Sequence, residues 1–212
     1  VSDEIAAAVM LKGLTVHYLL HHSYPVKAGD TVLFHAAAGG VGLLAGQWLK
    51  ALGVHAIGTA GGAAKVALAR AHGYETVIDY RAQDFVAEVQ RLTGGAGVAA
   101  VYDSVGADTL LKSFDVLRPL GTLVSFGQSS GPVLDFKLTD LARGAWFLTR
   151  PSLFVHLAQP GWLPRASAEL FQMIASGKLT VEIDQRFALA DVAEAHRALE
   201  GRKTTGCTIL TP

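Results

Sequence analysis

The sequence predicts an α/β protein built on an open, doubly wound parallel sheet. Three observations carry this. Over residues 24–150, short β-branched or apolar runs alternate with helix-length segments, a βαβαβαβαβ order that needs parallel strands and crossover helices. The strand runs are apolar at nearly every position, as a sheet covered on both faces requires. The chain has 212 residues, 50% hydrophobic and 17% charged, enough apolar surface to bury a core and to offset the entropy of ordering it.

Ser2 or Asp3 caps a first helix that runs to residue 20, with Gly13 a weak point inside it. Residues 24–30 are rich in turn formers. Strands are expected at 31–35, 54–59, 76–78, 98–102, 121–126 and 145–149. Helices are expected at 42–52 (closed by Gly53), 63–72 (closed by Gly73), 84–92 and 109–117, the last stopped near Pro119. After Pro151 the alternation changes to a helix at 165–176, a strand at 181–187, a helix at 191–200 opened by an Asp191/Glu194 capping box, and a strand at 207–210. Residues 1–23 thus read as a linking helix and 24–150 as the sheet domain. The tail 151–212 is too short for an ordinary domain and reads as part of a larger one.

Composition excludes several classes. Lys+Arg and Asp+Glu both number 18, so there is no basic excess to neutralise a nucleic-acid backbone. The single cysteine, Cys207, rules out an intrachain disulfide framework or a multi-cysteine zinc site in this chain, and fits a reducing, cytoplasmic setting. Residues 31–49 lack charge over a membrane-span length. They contain His35, Gln47 and four glycines (39, 40, 42 and 46), and read better as strand, turn and helix. The chain opens at Val1, without methionine or a basic leader, straight into a helix start, and is expected to be a piece of a longer protein.

The motif with chemical content is His35-Ala36-Ala37-Ala38-Gly39-Gly40-Val41-Gly42. It holds Ala37-x-Gly39-x-x-Gly42, the dinucleotide fingerprint with alanine at its first glycine, between a predicted strand and a predicted helix. Gly39 lets backbone approach a pyrophosphate, Gly42 lets the helix pack on the sheet, and the helix N-terminus offers free N–H groups. The bland alternative is a tight βα turn that binds nothing. The second strand bears on which nucleotide. An NAD site places an acid about 20 residues past the glycines; here 59–65 is Thr-Ala-Gly-Gly-Ala-Ala-Lys. A small loop ending in Lys65 accepts a 2′-phosphate that a carboxylate would repel, which favours NADP(H). Tyr80 and Arg81, across the next strand end, are further candidate contacts. Lys65 also fits a plain solvated first-turn lysine. The later strand ends, 103–106 and 126–131, combine glycine with small polar groups, suited to a cofactor crevice or to ordinary turns.

No residue is assigned a catalytic role and no metal ligand is expected. Among eight histidines, His21-His22 is the only adjacent pair, and neighbours on a helix point to different sides. Cys207 lies in an apolar strand, where a buried inert thiol is the plain reading. There is no Gly-x-Ser-x-Gly elbow. Hydride transfer needs none of these; it needs a nicotinamide held against an acceptor.

With these motifs assembled, the chain resembles the zeta-crystallin-type quinone oxidoreductase branch of the medium-chain dehydrogenase/reductase superfamily from end to end. The likeness is carried by Lys12-Gly13-Leu14-Thr15, residues 35–42, residues 101–106, Ser125-Phe126-Gly127 and Thr149-Arg150-Pro151-Ser152-Leu153. It implies zinc-free, NADPH-dependent reduction of quinones or electron-poor enones. It also implies a Rossmann domain followed by the C-terminal remnant of a GroES-like catalytic domain, most of which would precede residue 1. By the same likeness, Thr15 and Tyr18 lie near the nicotinamide end, and Gly40 and Val41 meet the pyrophosphate. Gly61 and Lys65 hold the 2′-phosphate with Tyr80 beside them. Val105 touches the adenosine side, Phe126, Gly127 and Ser129 the nicotinamide side, with Ser152, Leu153 and Thr205 further contacts. A homodimer through the edge strand at 145–149 is implied too. The alternatives are another medium-chain reductase, such as an enoyl reductase or zinc alcohol dehydrogenase, and a non-catalytic cofactor-binding module.

Overall fold

The computed structural model describes residues 1–201 and 204–212. Six parallel strands form the main sheet: β1 (Thr31–Phe34), β2 (His55–Ala60), β3 (Thr76–Asp79), β4 (Val98–Asp103), β5 (Leu117–Ser125) and β6 (Phe147–Thr149). Their order is β3-β2-β1-β4-β5-β6. The chain moves outward from β1 in one direction, then crosses to β4 and moves outward in the other, so the order reverses between β1 and β4. Helices α1 (Asp3–Tyr18), α2 (Gly40–Ala51), α3 (Ala63–Ala71), α4 (Phe85–Leu92) and α5 (Leu110–Ser113) cover the faces.

Alternation along each strand sorts the core into two layers. Val32, Phe34, Tyr102 and Val124 face one way and pack with Leu44, Trp48 and Leu170. Leu33, Val101 and Leu123 face the other and pack with Phe85, Val89 and Phe114. All of these are buried, so both faces are covered, which is why the strands read as continuous apolar runs.

Ser2 caps α1, its side chain accepting the Ile5 N–H at 3.3 Å. The helix does not stay α to residue 20; it widens into a π turn over Leu19–Ser23. Helix α5 is one turn followed by a 3-10 turn, Phe114–Val116, and β5 starts at Leu117 rather than at 121. Pro119 is absorbed because the ladder slips there: Leu117 pairs with Val98 and Thr122 with Ala100, with Leu120 at φ 62° in between. A proline is tolerated at such an irregularity. Strand β6 is shorter than 145–149 because Ala145 takes φ 49°, outside the strand region.

The tail contains α6 (Leu153–Leu157), α7 (Trp162–Ala175), β7 (Ile183–Ala188), α8 (Val192–Glu200) and β8 (Cys207–Thr211). The short α6 was not legible as a helix. Helix α7 starts three residues before 165 because Pro164 falls in its first turn, where its missing N–H costs nothing. The expected Asp191/Glu194 box does not form: Asp191 makes no capping bond and sits at φ −97°, ψ 19°, away from the extended geometry of a cap. Strands β7 and β8 pair in parallel as a separate two-stranded sheet. The Cys207 thiol, buried, donates to the Ala8 carbonyl at 3.4 Å, tying β8 to α1.

Candidate functional site

A crevice of about 690 Å³ opens at the C-terminal ends of β1, β2 and β4, on the side where the strand order reverses. This is where open α/β sheets bind ligands, and the volume suits a small-molecule or cofactor site. Its floor is the turn between β1 and α2. Ala36 there holds φ 55°, a left-handed conformation costly for a residue with a Cβ. The N-cap of α2 is Gly39, with no side-chain capping bond, so the first N–H groups of the helix have no side chain of their own to bind. A Cβ on Gly42 would lie 2.5 Å from the Ala36 carbonyl and 2.6 Å from that of Ala37. Only glycine lets α2 sit this close to the turn, the role expected of it.

Strand β2 ends at Ala60 with no carboxylate. Gly61 follows, buried; a Cβ there would come within 2.5 Å of the Tyr80 hydroxyl and 3.1 Å of Arg81 Nε. Lys65, half-buried in the first turn of α3, lines the same end of the crevice. Asp79, at the end of β3, accepts the Gly62 and Arg81 N–H groups at 2.9 and 3.0 Å. These bonds hold its carboxyl below the usual range. This acid is spent on the turn's backbone, which leaves Lys65 and Arg81 as cations beside Gly61.

On the β4 side, Asp103 is fully buried. One carboxylate oxygen accepts the Val105 and Gly106 N–H groups at 2.6 and 3.0 Å, and the other accepts the Thr109 hydroxyl at 2.7 Å. That fixes Val105 at the crevice wall. The loop after β5 is clasped to it: the Ser129 N–H reaches the Ser104 carbonyl at 3.1 Å, and the Ser130 hydroxyl reaches that of Val105 at 2.8 Å. At the bottom, both His35 ring nitrogens are engaged, Nδ1 with Thr59 Oγ1 at 2.9 Å and Nε2 with Ser113 Oγ at 3.0 Å. Burial lowers the His35 pKa, against a smaller opposing pull from Asp103.

Of the sequence-predicted residues, Gly39, Gly61, Lys65, Tyr80, Val105 and Ser129 line this crevice. Gly40 and Thr205 are not among its lining residues: a Cβ on Gly40 would lie 2.7 Å from the Gly206 carbonyl, and the Thr205 hydroxyl donates to Asp184. The other predicted residues do not line it. Tyr18 is buried and stacks on His156, with ring centroids 4.7 Å apart, and Val41, Phe126 and Leu153 pack on the same apolar cluster. Thr15 is buried and donates to the Leu11 carbonyl at 2.8 Å. Ser152 is the exposed N-cap of α6 and makes no capping bond. Gly127 sits where a Cβ would come within 2.6 Å of the Ser104 carbonyl. Arg150, quoted in the family likeness but given no role by the sequence, donates to Ser125 Oγ and the Gly127 carbonyl, both at 2.9 Å. Lys112, on α5, and Leu199 and Thr204, from the tail, also line the crevice; no local pattern marks them.

The topology and the glycine turn place the chain in the class of Rossmann-type α/β folds. Residues 72–210 match the zinc-binding dehydrogenase family, and the chain belongs to that family, within the medium-chain dehydrogenase/reductase superfamily. A quinone oxidoreductase from Pseudomonas aeruginosa is 50% identical over 210 residues, covering 99% of this chain and 65% of the relative. The crystal structure of Escherichia coli quinone oxidoreductase complexed with NADPH superposes with a TM-score of 0.97 at 48% identity, over 100% of this chain and 66% of that one. A 2-haloacrylate reductase from Burkholderia is 42% identical over 212 residues, covering 99% of this chain and 64% of the relative. The chain thus spans about two thirds of these relatives' length.

The family's description names zinc, and the crevice does not fit it. His35 has neither ring nitrogen to spare, and no three His, Cys, Asp or Glu donors converge there among the described residues. The one such group they contain is His17, His21 and Glu169, none of which lines the crevice.

Proposed function

We propose that this chain is the NADP(H)-holding part of a zinc-independent reductase of quinones or related electron-poor alkenes. The carrying observation is the β2–α3 turn: no acid at the end of β2, and Lys65 and Arg81 near a Gly61 against which the Tyr80 and Arg81 side chains rest. The likeness to quinone oxidoreductases and to a 2-haloacrylate reductase supports the acceptor class.

In this reading Lys65, with Gly61 and Tyr80, binds the 2′-phosphate. Gly39, Gly40 and Val41, at the uncapped start of α2, receive the pyrophosphate. Val105 meets the adenosine side, and Ser129 and Thr205 border the cofactor. Thr15, Tyr18, Phe126, Gly127, Ser152 and Leu153 shape the nicotinamide end, with Arg150 bracing Gly127. The bound cofactor supplies the hydride; the protein supplies its orientation. Residues 1–23 act as a linking helix, 24–150 as the cofactor domain, and 151–212 as a share of a catalytic domain. A two-stranded sheet such as β7–β8 is marginal by itself, which supports that division. Strand β6, at the edge of the sheet with Phe147 59% exposed, is the surface for a homodimer. A cytoplasmic setting accords with a single buried cysteine. No helix among the described residues is long and apolar enough to cross a membrane.

The test is a titration with NADPH and NADH, followed by nicotinamide fluorescence, on the chain and on Lys65→Ala. A charge-assisted hydrogen bond contributes about 1.5–3 kcal/mol, so NADPH is expected to bind at least about tenfold tighter than NADH, with the gap closing in the variant. Equal affinity for both cofactors in the unmodified chain would overturn the assignment.

A further inference from the structure

We propose that His17, His21 and Glu169 form a site for one late first-row divalent metal ion, zinc being the expected occupant. The three come from the end of α1, the π turn after it, and the middle of α7. Gly13 lets these helices meet: a Cβ there would lie 2.6 Å from Leu170 Cδ1. The close approach brings the residue next to Leu170, Glu169, onto His17, whose Nε2 lies 2.9 Å from Glu169 Oε2.

His17 and His21 are four residues apart, so one helical face carries both, with ring centroids 4.8 Å apart. The adjacent pair His21-His22 is the wrong pair on an α-helix, where neighbours point to different sides. The π turn changes the geometry further: its wider winding (i→i+5) turns His22 to the same side, its ring 5.9 Å from that of His17.

Two observations point to a ligand. First, one potential ligating atom from each of His17, His21 and Glu169 lies within 4.8 Å of the others. Bonds of about 2.0–2.2 Å put tetrahedral zinc ligands about 3.3 Å apart. The widest pair then exceeds ligand spacing by at most roughly 1.5 Å, and Glu169, 48% exposed, already stands 2.9 Å from His17 Nε2. Second, His21 Nε2 is buried and has no hydrogen-bond partner among the described residues, and the His17 ring, which turns its Nε2 to Glu169, is only 3% exposed. Buried ring nitrogens are rarely left unpaired. Two imidazoles and a carboxylate make a donor set suited to zinc and its neighbours rather than to calcium or magnesium. Trp48 and Trp162 wall the cluster, with centroids 6.0 and 5.6 Å from His17. A bound ion would bolt α1 to α7 across a sequence separation of 152 residues.

The test is calorimetric titration of zinc chloride into chelator-stripped protein, with the melting temperature and tryptophan fluorescence followed in parallel. One zinc per chain, a raised melting temperature and a fluorescence change saturating at one equivalent are expected. His21→Asn and Glu169→Gln, both at positions open to solvent on one side, should each weaken binding at least about tenfold while keeping the unmodified circular dichroism. His55→Asn, at an exposed histidine paired with Glu75, should bind as the unmodified chain does. Zinc binding that is unchanged in His21→Asn and Glu169→Gln, or no stoichiometric binding by the unmodified chain, would overturn the proposal.

Discussion

Replacing Gly42 and Gly39 separately by alanine should divide the two functions of the β1–α2 turn. A Cβ at position 42 would sit 2.5 and 2.6 Å from two backbone carbonyl oxygens. Ordinary contact begins near 3.4 Å, so α2 or the turn must move by most of an ångström. Overpacking of this kind costs about 1–3 kcal/mol, against about 1 kcal/mol regained from alanine's helix propensity. Both contacts are backbone atoms that cannot rotate away, which puts the cost at the upper end and the net loss at about 2 kcal/mol, or about 4–8 °C in melting temperature for a chain of this size. A Cβ at position 39 meets one carbonyl at 3.2 Å and needs only a few tenths of an ångström. Gly39 also has φ −80°, open to alanine, so the Gly39→Ala melting temperature should move by about 2–4 °C at most, from the weaker cap. Position 39 is, however, the N-cap that leads into the first free N–H groups of α2. Differential scanning fluorimetry and NADPH titration on both variants are the assay. Gly42→Ala should melt lower than Gly39→Ala, and Gly39→Ala should lose at least about tenfold in NADPH affinity while staying folded. A Gly39→Ala chain that binds NADPH normally would refute the pyrophosphate assignment, and a Gly42→Ala chain as stable as the unmodified one would refute the packing role.

Three further outcomes are expected. Burial depresses the His35 pKa, so its contribution to stability is present above about pH 6.5 and is lost as the pH falls through the folded-state value. A single such group adds up to about 1.4 kcal/mol of unfolding free energy per pH unit. Urea melts from pH 7 to 4 should therefore show a shallower acid decline in His35→Gln; equal slopes would remove His35 from the acid response. Asp103→Asn leaves one side-chain oxygen for a site that accepts three bonds. It should lower stability by about 2–4 kcal/mol in chemical denaturation, and a loss below about 0.5 kcal/mol would show that the β4–α5 turn does not depend on this carboxylate. Phe147→Glu on the edge strand should give a monomer in sedimentation velocity where the unmodified chain gives a dimer; an unchanged dimer would place the interface elsewhere.

Much of the sheet domain was written locally. The β-branched runs at 31–34 and 98–103, the glycine turn at 39–42 and the missing acid after β2 depend on residues within a few positions of each other, and local sterics suffice to express them. Element ends were less legible. Pro119 reads as a stop, yet a ladder slip against β4 carries the strand through it; Ala145 reads as strand, yet its positive φ delays β6 to Phe147. Such choices are made by the neighbouring strand, which the local sequence does not contain.

The site divides in the same way. The sequence by itself determined the doubly wound α/β class, the position of the crevice floor and the cationic character of its β2 end, because propensity, periodicity and glycine sterics act over short range. Only the tertiary structure decided what meets across the chain. Asp79 is consumed by the Gly62 turn; Arg150 reaches back to Ser125 and Gly127. Leu199 and Thr204 close the crevice from the tail, and Glu169 meets His17. These contacts arise when helices and strands distant in sequence are pressed together to bury one shared core. That packing is a collective outcome of the whole chain, and no local pattern records it.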